Sequence, residues 1–139
     1  MQLSPLLTPQ ASSIIGLIRS AKYSVGENTG FCSNRDLFGY VDVGRRFVIC
    51  TRNIIKSGLS PRFYINETIY HEGVHVAHHC NSYKPFGIAE KQMPLPPNKL
   101  EDVKNSVKTS TASSQMEHEA YWMEDAPLKV RYVIKKYCF

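Results

Sequence analysis

The amino-acid sequence predicts a single α+β domain over residues 1–139, mostly helical and with a short antiparallel sheet. Two observations predict it. Apolar residues recur at helical spacing in segments that open with a capping residue and a proline, and two short strand-like segments flank a glycine. A length of 139 residues suits one hydrophobic core.

The first elements are a helix and a hairpin. Thr8 and Pro9 are typical of an N-cap followed by proline at the first helical position, so residues 9–23 should form an amphipathic helix. Residues 24–36 are rich in Gly, Asn and Ser. Residues 38–43 and 46–51 then predict two strands joined through Gly44-Arg45.

The second half of the chain is mainly helical. Ser60-Pro61 repeats the cap-and-proline signal, and the segment from there to Cys80 predicts one helix. Residues 81–98 contain four prolines and predict a surface loop. Further helices should cover 99–125, interrupted by the hydroxyl-rich run 109–114 and resuming near Gln115, and the segment that begins at Pro127.

Composition narrows the class of protein. The net charge of +5 comes from cations spread along the chain, so no nucleic-acid partner is expected. No apolar stretch approaches the roughly 20 residues of a membrane span, and the N-terminus lacks the features of a secretory signal, which favours a cytoplasmic location. The four cysteines, at 32, 50, 80 and 138, are too scattered for a disulfide scaffold and are expected to be reduced.

The segment His71-Glu72-Gly73-Val74-His75 carries the functional signal. Residues four apart lie on one helix face, so the two imidazoles can bind one zinc ion, and Glu72 beside them can act as general base. The alternative is an ordinary amphipathic helix that contains these residues by chance. Against it, all five histidines fall at 71–79 and 118. An apolar stripe at Ile69, Gly73, Val76 and Cys80 also gives the helix a buried back.

Catalytic zinc usually has three protein ligands and one open position. His78 lies about 10 Å along the helix axis from His71, too far to share an ion, and is expected at the rim. Glu117 is the favoured third ligand, because Ala120, three residues later, would let two helices approach closely. Glu119 and His118 remain alternatives, since a small error in helix phase would turn either of them inward.

With these motifs the sequence resembles gluzincin-type HExxH peptidases, in which a Glu-x-x-Ala segment follows the zinc helix. It is most similar to the mitochondrial metalloprotease family of the inner membrane that processes an ATP-synthase subunit. That likeness rests on residues 48–54, on Cys80 and on Glu117 with Ala120. Two features depart from the pattern, namely Tyr121 in place of an orienting aspartate and the Pro-rich segment 84–99.

The resemblance implies a small zincin-like minimal metallopeptidase domain that binds one Zn²⁺ and cleaves a protein or peptide substrate. Zinc held by His71, His75 and Glu117 would lower the pKa of a bound water to about 7, while Glu72 accepts its proton. Tyr121 is the proposed donor to the oxyanion, with His118 and His79 as alternatives. The resemblance also implies that residues 46–51 form the edge strand that binds the peptide. The competing hypothesis is a catalytically silent zincin-fold binding or regulatory protein.

Overall fold

The computed structural model describes residues 4–109 and 112–139. A three-stranded sheet and a set of helices alternate along the chain, and two short 3₁₀ helices cover Ser4–Leu6 and Glu90–Gln92. The strands are β1 (Ser24–Glu27), β2 (Gly39–Val41) and β3 (Arg46–Ile49). The helices are α1 (Pro9–Ser20), α2 (Gly30–Ser33), α3 (Thr51–Lys56), α4 (Pro61–Cys80), α5 (Pro97–Thr109), α6 (Ser114–Met123) and α7 (Pro127–Cys138).

The helix starts follow the capping signals of the sequence. Thr8 and Ser60 precede the prolines that open α1 and α4, and the side chain of each accepts a hydrogen bond from the backbone N–H three residues later. Ser113 does the same for α6. Each cap satisfies a backbone donor that the first helical turn cannot pair internally. The predicted α4 and α7 are confirmed, and α1 ends at Ser20 rather than at residue 23.

Helix α4 is the centre of the fold, with α1 and α7 packed against its back. At Gly73 an added Cβ would lie 3.0 Å from Cγ1 of Val130, 3.4 Å from Cγ2 of Ile14 and 3.5 Å from Cδ1 of Ile134. The glycine therefore lets both helices approach the backbone of α4, on the buried back that the sequence predicted. The core around this contact is made of fully buried isoleucines and valines from all three helices: Ile14, Ile18, Ile65, Ile69, Val74, Val76, Val130 and Ile134.

The sheet has the order β1-β3-β2. The predicted hairpin is confirmed, because β2 pairs antiparallel with β3. Strand β1 was not predicted, and it pairs parallel with β3, so the sheet is mixed. As a consequence, the expectation that residues 46–51 form an edge strand is wrong. Strand β3 is central, and Thr51 already opens α3.

Strand β2 lies against the front of α4. A Cβ at Gly39 would come within 2.7 Å of Cγ2 of Thr68, 3.0 Å of the Val48 carbonyl oxygen and 3.3 Å of Cγ of Glu72. Real Cβ contacts are not found at the shortest of these distances, so this approach requires glycine. The strand is thereby placed beside Glu72, the glutamate of the histidine motif.

The expectation of reduced cysteines is wrong, because two disulfides join Cys32 to Cys50 and Cys80 to Cys138. The second pair is separated by 58 residues and meets because α4 and α7 end side by side, an arrangement that spacing in the sequence does not signal. Disulfides persist mainly in oxidising compartments, so the cytoplasmic location stays a prediction that this pairing does not favour. Among the described helices none is long and apolar enough to cross a membrane.

Candidate metal centre

Three donor atoms converge between α4 and α6. Oε1 of Glu117 lies 3.2 Å from Nε2 of His71 and 2.9 Å from Nε2 of His75. His75 and Glu117 are buried, and the side chain of His71 is 12% exposed. The three residues form a group whose ligand atoms all lie within 4.8 Å of one another. Residues 71, 75 and 117 are the ones that the sequence analysis put forward as ligands.

This donor set fits a zinc ion. Two imidazole nitrogens and one carboxylate oxygen are typical zinc ligands, with bonds of about 2.0–2.2 Å, and tetrahedral geometry then separates the donors by about 3.3 Å. The two observed separations, 3.2 and 2.9 Å, are slightly shorter, as expected for hydrogen bonds between the same atoms. Small side-chain movements would therefore be enough to admit the ion, and three protein ligands would leave one position open.

Helix α6 selects Glu117 over its neighbours. Ala120 is fully buried, consistent with close contact between α6 and α4. Nε2 of His118 lies 2.8 Å from the Met93 carbonyl oxygen, and Glu119 is fully buried against residues 86–88. In this arrangement neither alternative reaches the two histidines of the motif.

The pKa values of His71 and Glu117 are shifted by the contacts of these residues with their neighbours. Burial would lower the pKa of His71, but hydrogen bonds to Glu117 and Glu124 outweigh it and raise this pKa well above its usual range. Burial would raise the pKa of Glu117, yet the charge of His75 and the hydrogen bonds from both histidines hold it far below its usual range. The metal-free site thus favours an ionised carboxylate beside a protonated imidazole, and a bound cation would replace that proton.

Glu72 lies on the side of α4 that faces β2. Burial raises the pKa of its carboxyl group, and the neighbouring charges of His71 and His75 partly oppose that rise. A raised pKa makes a carboxylate a stronger proton acceptor, which is the property a general base needs.

Glu124 orients the first histidine and was not foreseen. Its Oε1 lies 2.8 Å from Nδ1 of His71, and its Oε2 lies 3.0 Å from Nζ of Lys99. A carboxylate on the far ring nitrogen fixes the orientation of a metal-binding histidine. The sequence did contain a signal, since residue 124 follows Glu117 by seven positions and so falls on the same side of α6.

His78 was expected at the rim, and this is wrong, because its side chain is fully buried. Its Nδ1 lies 3.2 Å from Nδ1 of His75, and its Nε2 lies 2.8 Å from Oε1 of Glu119. Burial lowers the pKa of His78, and the hydrogen bond to Glu119 only partly opposes that effect, which favours a neutral ring. His78, which was predicted to be too far from His71 to share an ion, therefore contacts and orients His75.

Glu119 connects this histidine pair to the Pro-rich segment. Its two oxygens accept hydrogen bonds from the backbone N–H groups of Phe86, Gly87 and Ile88, at 2.9, 3.0 and 3.2 Å, and from Nε2 of Gln115 at 3.2 Å. Burial would raise its pKa, but the hydrogen bonds from His78 and from the backbone lower it. Part of the predicted surface loop is thus anchored behind the metal centre.

Two candidate oxyanion donors, Tyr121 and His79, have contacts that do not by themselves indicate a catalytic role. The ring of Tyr121 packs edge-on against His71 with centroids 4.5 Å apart, and its hydroxyl oxygen lies 2.7 Å from Oγ of Ser106 on α5. Burial raises the pKa of this phenol. His79 has a buried Nδ1 with no hydrogen-bond partner in the described chain, and burial lowers its pKa to about 4. A role for either residue in catalysis stays a prediction.

A second acidic group lies next to the first, formed by Glu67, Glu124 and Asp125. Nζ of Lys99 lies 3.0 Å from Glu124 and 2.6 Å from Asp125. The lysine therefore already supplies a positive charge to Glu124 and Asp125.

Comparison with known proteins adds a family but no activity. A family model described as "Domain of unknown function (DUF8637)" matches residues 4–139. Comparisons with curated proteins and with solved structures gave no match. The resemblance to gluzincin-type peptidases therefore stays a prediction from the sequence motif.

Proposed function

Since the chain belongs to the DUF8637 family, whose function is unknown, its activity must be inferred from the site, and we propose that it is a zinc-dependent metalloendopeptidase. One observation carries the proposal. Two histidines four residues apart on a buried helix meet a glutamate from a second helix at one point, with another glutamate beside the first histidine. A structural zinc site would need a fourth protein ligand and no general base.

Each residue of the site has its own role in the proposed reaction. His71, His75 and Glu117 would hold one Zn²⁺ per chain. Zinc at such a site supplies the positive charge that acidifies a water molecule and polarises the scissile carbonyl group. Glu72 accepts the proton of the attacking water and passes it to the amine when the C–N bond breaks, so that a carboxylate and an amine leave.

The hydrogen bonds behind the ligands support this assignment. A metal ion on Nε2 of His75 leaves the ring hydrogen on Nδ1, which can then donate to Nδ1 of His78. The hydrogen of His78 then lies on Nε2 and is donated to Glu119. Each N–H in this series therefore donates to an acceptor. The ionised Glu119 requires the hydrogen of His78 on Nε2, and this leaves Nδ1 of His78 free to accept from His75, as metal binding to Nε2 of His75 requires.

The substrate class follows from the sheet. Strand β2 is at one edge and lies beside Glu72, so an extended peptide could add to Gly39–Val41 as a further strand. This moves the proposed peptide-binding strand from residues 46–51 to β2. Backbone hydrogen bonds would then give affinity for protein segments, while side-chain pockets would set specificity.

The test combines metal content with cleavage. Purified wild-type protein, Glu72→Gln and His75→Ala are analysed for zinc and assayed on unfolded casein, and Glu90→Gln, at an exposed position, serves as the control. We expect one zinc per chain in all but His75→Ala, and chelator-sensitive cleavage only in wild type and the control. Zinc without cleavage in wild type would favour the silent binding protein, and a metal-free wild type or an active Glu72→Gln would overturn the proposal.

A further inference from the structure

Lysine and arginine residues are spread along the chain, but its net positive charge arises in the segments before Glu27 and after Asp125. All twelve Asp and Glu residues lie between Glu27 and Asp125, together with eleven of the seventeen Lys and Arg residues, so that segment has a net charge of −1. The other six cations account for the remainder of the net charge of +5. They are Arg19, Lys22, Lys129, Arg131, Lys135 and Lys136.

The fold brings these two ends together. Helices α1 and α7 pack against each other and begin side by side, where Pro9, Gln10 and Ser13 share a small cavity of about 220 Å³ with residues 127, 128 and 131. The buried sides of both helices face α4, and all six cations are exposed. The exposed sides of the two helices and of the turn after α1 therefore carry six positive charges, and neither helix contributes an acidic residue.

Large apolar side chains are exposed among these cations. Leu128 is 72% exposed, Tyr132 63% and Phe139 64%. Leu128 and Tyr132 are four residues apart on α7 and so share a side of the helix. Lysine and arginine mixed with exposed leucine and aromatic residues are the composition of helices that lie in the interface of a lipid bilayer.

We propose that this surface, formed by the six cations with Leu128, Tyr132 and Phe139 and named the α1/α7 face, binds the surface of an anionic membrane. The cations complement the negative headgroups, at about 1 kcal/mol for each Lys or Arg near the surface. An exposed leucine gains from entering the acyl boundary, whereas it has no use in stacking on bases, so the composition favours lipid over nucleic acid.

The orientation of the bound protein follows from α4. The helix contacts α1 and α7 through Gly73, which points away from His71 and His75 because it lies two residues, or about 200 degrees of helix rotation, from each. The metal centre is therefore on the opposite side of α4 from the α1/α7 face. A protein bound through this face keeps Glu72 and strand β2 accessible from the aqueous side.

The test is co-sedimentation of the full chain with vesicles at 150 mM salt. Vesicles of phosphatidylcholine alone are compared with vesicles that contain 30% phosphatidylglycerol. The variant Lys135→Gln/Lys136→Gln removes two charges from the α1/α7 face, and Lys104→Gln/Lys108→Gln removes two exposed charges from α5. Circular dichroism establishes that both variants are folded.

We expect binding to the anionic vesicles only. The α7 variant should bind about 25-fold more weakly, since each lysine contributes about fivefold, and the α5 variant should bind as wild type does. Leu128→Ser alone should also bind the anionic vesicles more weakly than wild type does, a loss that a purely electrostatic attraction would not explain. Equal losses in the two double variants, no binding to anionic vesicles, or binding of single-stranded RNA in preference to them would overturn the proposal. This inference does not depend on the peptidase proposal.

Discussion

Replacing Glu119 by glutamine tests whether the buried contacts behind the metal centre are set for metal binding. The carboxylate accepts five hydrogen bonds, two at Oε1 from His78 and Phe86 and three at Oε2 from Gly87, Ile88 and Gln115. An amide keeps one oxygen and turns an NH₂ group toward the other set of donors. In its better orientation it therefore loses two hydrogen bonds.

The magnitude follows from these contacts. A hydrogen bond to a charged group contributes about 1.5–3 kcal/mol, so two lost bonds lower the free energy of unfolding by about 3–6 kcal/mol. His78 could regain a partner by moving its hydrogen to Nδ1. That hydrogen would then face Nδ1 of His75 at 3.2 Å, where metal binding requires a hydrogen as well. We therefore expect zinc affinity to fall about 10- to 100-fold, the usual effect of losing an outer-shell partner.

Two measurements separate stability from metal affinity. Urea unfolding in the presence of a chelator reports the stability of the metal-free chain, and competition with a chelating dye reports the zinc dissociation constant. His118→Gln is the matched control, because His118 is buried on the same helix but bonds to the Met93 carbonyl oxygen instead. It should lose stability and keep its zinc affinity. A folded Glu119→Gln that binds zinc as tightly as wild type would refute the reasoning.

Three further predictions concern stability. Gly73→Ala should lower the free energy of unfolding by about 1 kcal/mol, because overpacking outweighs the gain in helix propensity. Gly16→Ala has open space around it and should raise the free energy of unfolding by about 0.5–1 kcal/mol. Thermal melts would measure both changes. The pKa of Glu67 is raised from 4.5 to about 7, mainly by burial, so stability falls as pH rises through that window. Above pH 7, Glu67→Gln should therefore be about 1 kcal/mol more stable than wild type, a value that allows for solvent screening of this half-buried side chain. Below pH 4.5 the two proteins should be equally stable, and thermal melts over a range of pH would measure both differences. Loss of the Cys80–Cys138 bond, which closes a loop of 58 residues, should cost about 4 kcal/mol by urea unfolding, and an unchanged midpoint would contradict it.

The elements that the sequence predicted are those with local signals. A capping residue and a proline marked the starts of α1 and α4, and a proline alone marked the start of α7. Helical periodicity placed Gly73 on the buried back of α4. Strand β1 has no such signal, because its four residues are held by pairing with β3 and include a glycine. Its parallel pairing depends on contacts between distant segments, which sequence pattern alone does not reveal.

As with the fold, only part of the candidate site was predicted from the sequence. The spacing of His71 and His75, and Glu117 with Ala120 three residues later, predicted three donors that the structure places together. The supporting residues were missed, since His78 was judged by its distance along the helix from His71 alone. Its contact with Glu119 arises only when α6 packs against α4, and residues 86–88 then donate to the same carboxylate. The disulfides were missed for the same reason, because the cysteines of each pair meet only in the folded chain.

The contact at Gly39 has a consequence for the history of the family. A larger residue at that position would force strand β2 away from α4, and Glu72 would lose the strand beside it. Under the proposed peptidase function, a lineage that had lost cleavage would be free to accept such a residue, whereas an active lineage would not. Among DUF8637 relatives, we therefore expect glycine at the position of residue 39 and glutamate at the position of residue 72 to be kept together or lost together.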